Sequence, residues 1–161
     1  MTHIHIQNEQ NYPIDADLLQ RAIQQVIDRH EVAANSGVSV VLTTNEAVQA
    51  LNKQHRQIDT PTDVLSFPAD PLPPELANTD VPYLGDLIIA YPYASAQAKR
   101  LEHNLEQSLA LLVVHGTLHL LGYDHDTPQN RAAMWAEQSV VLKTLNISDA
   151  IVPSLEESDY V

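Results

Sequence analysis

The stretch LEQSLALLVVHGTLHLL, residues 105–121, constrains the fold more than any other part of the chain. It is apolar nearly all round, so a helix made from it must be wrapped by the rest of the protein. Asn104, with Gln107 three residues later, resembles a capping box that starts the helix. Gly122 supplies the left-handed position that ends it. Inside this run sit His115 and His119, i and i+4, on one face and about 6 Å apart along the axis. A buried imidazole needs a polar partner, and one shared cation would serve both rings. The turn at Gly122 lets the chain fold back, so that His125 can close a third corner.

The chain has no cysteine, which excludes disulfides and thiolate ligands and leaves nitrogen and oxygen to hold any transition metal. Three neutral imidazoles leave the fourth position of a tetrahedral zinc open to water, the pattern of a catalytic site. The competing reading is three hydrogen-bonded histidines without a metal; the shared spacing and the glycine between the second and third favour the ion. His3 and His5 are expected to be solvated on an edge strand, His30 to sit at a helix C-terminus that favours a cation, and His55 and His103 to be surface residues. Zinc proteases with the pattern HExxHxxGxxH share this spacing but carry a glutamate after the first histidine as general base. Here that position is Gly116, which carries no proton, and Met134 falls inside a helical pattern where a methionine turn is not expected. Peptide hydrolysis is disfavoured.

The remaining sequence reads as α/β (α+β) with a small mixed sheet. THIHIQN alternates as a strand, Asp15 caps a helix reaching about His30, and VSVVLTT after Gly37 is β-branched. Thr44 or Asn45 caps a second helix with Val48 and Leu51 inward. VLSF is a short strand stopped by Pro68, and the proline- and acid-rich residues 68–83 read as a surface loop. GDLIIA is a strand and ASAQAKRLEHN opens a helix. Thr127 and Pro128 begin a last helix with Met134, Val141 and Leu145 on one stripe. Residues 1–147 are expected to form one domain, and the acidic residues 148–161 a mobile tail. No apolar run is long enough for a membrane span and no signal peptide is evident, so the expected location is the cytoplasm.

The net charge of −13, from 8 Lys and Arg against 21 Asp and Glu, argues against broad nucleic-acid affinity. A chain this acidic that acts on RNA needs a local basic or metal-centred site, or a partner that delivers the substrate.

HGTLHLLGYDH closely resembles the signature of the bacterial YbeY family, metal-dependent endoribonucleases of ribosomal RNA maturation. LNKQHR (51–56), TPTDVLSFP (60–68) and LGDLIIA (84–90) resemble the family's other blocks in order and spacing, and the resemblance covers most of residues 35 to 145. It implies a mixed four-stranded sheet packed with helices around the histidine-bearing one. It implies His115, His119 and His125 as ligands of one Zn²⁺ and Arg56 as a residue facing the site and substrate. It also implies cleavage of single-stranded RNA, with a part in finishing the 3′ end of 16S ribosomal RNA and in ribosome quality control. No DNA or membrane partner is expected. On this reading Arg56 pairs with a phosphate through its planar fork, against the alternative of a solvated helix end. Asp63, Asp86 and Asp124 are candidates to orient a ligand or accept a proton; each also reads as a turn, cap or strand-start residue. A second class is a ribosome-associated assembly factor with a structural metal, its acidic surface suited to basic ribosomal proteins.

Overall fold

The computed structural model describes residues 3–33, 35–69 and 82–158. In the surface loop expected at 68–83, residues 70–81 lie outside the described residues. Among the described residues four strands and five α-helices follow in the order β1 (His3–Gln7), α1 (Ala16–Asp28), β2 (Gly37–Thr43), α2 (Asn45–Arg56), β3 (Val64–Pro68), β4 (Tyr83–Ala90), α3 (Tyr91–Arg100), α4 (Leu105–Leu120) and α5 (Pro128–Thr144). The sheet order is β1-β2-β4-β3, with β1, β2 and β4 parallel and β3 antiparallel to β4. This is the small mixed sheet expected.

Local chemistry sets the helix starts. The Asp15 carboxylate accepts the Leu18 N–H, Thr44 Oγ1 that of Ala47, Asn104 Oδ1 that of Gln107 and Thr127 Oγ1 that of Asn130. Each cap satisfies a donor that the first helical turn leaves open. Thr44 is thus the cap of α2, while Asn45 Oδ1 accepts the Tyr93 N–H and ties α2 to α3.

Helix α4 is buried from Ser108 to Leu118. It lies on the sheet face built by Val38, Val40, Leu42, Val64, Leu87 and Ile89, and joins the apolar stripe of α1 and Met134, Val141 and Leu142 of α5 in one core. The other face of the sheet carries a smaller cluster, in which Val48 of α2 meets Leu65 and Ala90. Gly116 explains how closely α4 approaches the strands: a Cβ there would stand 2.7 Å from Leu87 Cδ2 and 3.2 Å from Ser66 Oγ.

The acidic C-terminal segment differs from the expected mobile tail. Asp149–Ser158 forms 3-10 turns, and Ile151, Val152 and Leu155 are buried in the main core. The Gln97 side-chain amide donates to the Ser154 carbonyl at 3.1 Å. Asp149, Glu156 and Glu157 make this stretch acidic, yet Ile151, Val152 and Leu155 among them bury together.

Candidate metal centre

The C-terminal end of α4 makes the site. After the C-cap Leu121, Gly122 adopts φ +101°, with nothing within 4 Å of the position a Cβ would take. Its role is therefore conformational. The Gly122 N–H donates to the His119 carbonyl and the Tyr123 N–H to the Leu118 carbonyl, both at 3.0 Å. This is the pairing of a Schellman turn. It returns the chain over the last turn of the helix, where the Tyr123 carbonyl accepts the Nδ1–H of His119 at 2.9 Å. A carbonyl only accepts, so the His119 proton is on Nδ1 and its Nε2 lone pair is free.

His115 is held from a different helix. Its Nδ1 donates to Gln138 Oε1 of α5 at 2.7 Å, again leaving Nε2 as an acceptor. The two Nε2 atoms face one another at 3.1 Å. His125, placed by the same turn, has its ring centroid 5.5 Å from that of His115 and 5.2 Å from that of His119. One nitrogen from each of the three rings lies within 4.8 Å of the others.

Two facing lone pairs repel unless something positive stands between them. A proton serves poorly here. Burial, reinforced by the neighbouring His119, pushes the His115 pKa down to about 3 against the opposing pull of its bond to Gln138. Burial, and then the charge of His125, lowers that of His119 as well. Three neutral nitrogen donors converging on one point are what a divalent ion of the zinc type takes. The residues fit the metal, and the three histidines are positioned to hold it.

Trp135 of α5 walls the centre, edge-on to both His115 (5.9 Å between centroids) and His125 (5.5 Å). The Arg131 guanidinium carbon lies 4.5 Å from the centre of the Trp135 ring, a cation–π geometry. On the other side a cleft of about 560 Å³ opens, lined by His55, Arg56, Leu65, Ser66, Phe67, Pro68, His119, Gly122, Tyr123 and Asp124. Arg56, the last residue of α2, thus shares a cavity with His119. The buried Asn52 fixes the chain just beyond it by donating from Nδ2 to the Thr60 carbonyl at 2.9 Å.

The aspartates separate. Asp124 lines the cleft, and its Oδ1 accepts the His125 backbone N–H at 2.8 Å. Asp63 is buried where β3 begins, its Oδ1 accepting the Val64 N–H at 2.8 Å, a turn-stabilising role. Asp86 accepts the Tyr83 hydroxyl within β4 and does not line the cleft. Among the other histidines, His3 and His5 are exposed on the edge strand. His30 is more engaged than a helix-end cation: Nδ1 donates to the Val26 carbonyl at 2.6 Å, and Nε2 lies 3.1 Å from the Tyr123 hydroxyl. His55 is exposed, as expected of a surface residue, but the surface is the cleft itself, where its ring meets Phe67.

Gln138, Trp135, Arg131 and Asn52 were not legible as site residues. The signal for Gln138 was an amide on the buried stripe of Met134 and Val141, a position that an apolar residue would fill unless something nearby required a hydrogen bond.

Comparison with known proteins places these features in a wider set. A family model described as "Endoribonuclease YbeY" matches residues 5–146. Among curated relatives named Endoribonuclease YbeY, one from Moorella thermoacetica is 43% identical over 145 residues, covering 85% of this chain and 93% of its own length. Another, from Roseiflexus castenholzii, is 42% identical over 137 residues, covering 84% and 86%. The solution structure of TM1509 from Thermotoga maritima superposes with a TM-score of 0.59 at 25% identity over 88% of each chain.

Proposed function

The chain belongs to the endoribonuclease YbeY family, and from that premise we propose that it is a zinc-dependent hydrolase that cuts single-stranded RNA. Its substrate on this reading is ribosomal RNA in the cytoplasm, where it serves 3′-end maturation of 16S rRNA and ribosome quality control. The observation that carries the reading is the convergence of His115, His119 and His125, with His119 lining the same cleft as Arg56. An ion enclosed by protein on all sides only braces a fold, whereas one reached from a cleft meets a substrate. Zinc follows from the ligand type, three imidazoles and no thiolate. Among the described residues no helix is long and apolar enough to cross a membrane.

Bound among the three rings, zinc supplies a Lewis acid for a phosphate oxygen and makes water a stronger nucleophile near neutral pH. The protein does the rest. Gln138 and the Tyr123 carbonyl fix the tautomers and ring planes of His115 and His119, so that both Nε2 lone pairs point at one place. The Arg56 fork pairs with the non-bridging oxygens of the scissile phosphate and offsets charge that builds as the bond breaks. On this reading Asp124, a carboxylate that lines the cleft, takes the proton.

The net charge of −13 favours a second reading, an assembly factor whose metal is structural and whose acidic surface docks on basic ribosomal proteins. Cleavage of single-stranded RNA by wild type and by His119→Ala, purified identically and assayed with the same zinc supply, separates the two. The endoribonuclease reading expects the variant to lose at least about a hundredfold in rate. Equal cleavage would identify a contaminating nuclease and leave the assembly reading in place. A zinc protease is disfavoured because Gly116 stands where such enzymes carry their glutamate.

A further inference from the structure

We propose that His55 and Phe67 form a nucleobase subsite beside the metal centre, so that this acidic chain gains its RNA affinity from stacking more than from charge. The proposal rests on the endoribonuclease reading and names how that site holds its substrate.

Phe67 is the only phenylalanine in the chain. It lies on β3, half-buried, packed against the cluster of Val48, Leu65 and Ala90 and still lining the cleft. His55 lies in the last turn of α2 and is exposed. The two ring centroids are 5.0 Å apart and their planes meet at 63°. The rings therefore form a corner at the cleft wall. A flat heterocycle laid on one ring presents its edge to the other. Arg56 lines the same cleft as His55 and Phe67, so a phosphate held by Arg56 brings an adjoining base to this corner.

The distribution of charge gives the corner its purpose. Arg21, Arg29 and Lys53 are paired with Asp17, Glu137 and Asp59, and Arg131 lies over Trp135. Arg56 is the one Lys or Arg among the described residues that lines the cleft. A single phosphate contact releases few counterions and supports little affinity. Proteins that hold single strands without reading sequence rely on aromatic faces, histidine included, because every base offers a π-surface. Duplex RNA keeps those surfaces inside its own stack, so the same corner selects single strands.

The test uses the zinc-loaded protein and a short single-stranded RNA, with an abasic ribose-phosphate oligomer of equal length as competitor. His55→Ala, at an exposed position, is expected to raise KM about tenfold while kcat changes little, and His55→Phe to restore KM. The abasic oligomer is expected to inhibit wild type about tenfold more weakly than a base-bearing competitor, and His55→Ala to lose that preference. RNA cleavage with equal inhibition by both oligomers, or an unchanged KM in His55→Ala, would overturn the subsite and leave the endoribonuclease reading intact. Cleavage no greater than that of His119→Ala would overturn both.

Discussion

Gln138 Oε1 lies 2.7 Å from His115 Nδ1, joining two helices through a bond between fully buried side chains. The bond assigns the proton of His115 to Nδ1 and aims Nε2 at His119. Gln138→Leu keeps the bulk of the side chain and removes the acceptor. Metal affinity is expected to fall about 10- to 100-fold, with a loss of about 1–3 kcal/mol in stability from the buried N–H left without a partner. Zinc titration followed by the fluorescence of Trp135, the only tryptophan and in edge contact with two of the three rings, reads the affinity directly. Gln138→Glu retains an acceptor and is expected to retain tight binding.

The buried imidazole also makes the metal-free protein sensitive to acid. His115 has a folded pKa of about 3 against 6.5 in the free side chain. Between those values the unfolded chain binds the proton and the folded chain refuses it. Stability is therefore full above about pH 6.5 and falls as pH drops toward 3, by up to about 1.4 kcal/mol per pH unit for one such group. His119, also lowered, acts in the same direction. Urea unfolding of chelator-treated protein across this range should show the slope, and His115→Phe should flatten it. Identical slopes for the two proteins would remove the explanation.

Gly116 reverses a usual expectation. Replacing a mid-helix glycine by alanine normally stabilises by about 1 kcal/mol. Here the added methyl meets Leu87 Cδ2 at 2.7 Å, and Gly116→Ala is expected to destabilise by about 1–3 kcal/mol through overpacking. Thermal unfolding of the variant gives the sign.

Arg56 and its support should act on substrate and not on metal. Arg56→Lys keeps the charge but loses the two-pronged fork, so cleavage should drop about tenfold or more while zinc stoichiometry stays unchanged. Asn52→Ala, which frees the loop held at Thr60, should produce the same pattern in milder form. The salt dependence of RNA binding should be shallow, with a slope near −0.7 for about one phosphate contact. Cleavage by Arg56→Lys at the wild-type rate would remove the phosphate role.

What could be read from the sequence was what is local in it. Caps at Asp15, Thr44, Asn104 and Thr127 announce themselves because the acceptor and its N–H lie three residues apart. The histidine set was legible for the same reason: one helix face and one glycine turn bring all three rings together. Gln138, Trp135 and Arg131 come from α5, and His55 and Phe67 from α2 and β3. Their meeting depends on how helices cross and on where β3 joins the sheet edge, which no local pattern encodes. The C-terminal segment misled for a different reason. Its acidic residues drew the reading toward solvent, while Ile151, Val152 and Leu155 decide where it packs.

The most direct measurement is an anomalous-scattering map of the protein grown with zinc and recorded at the zinc edge. The account predicts one ion per chain, about 2.0–2.1 Å from a nitrogen of each of His115, His119 and His125, with its remaining side open to the cleft of Arg56. A map with no ion at that point, or with a fourth protein atom closing the coordination sphere, would contradict it.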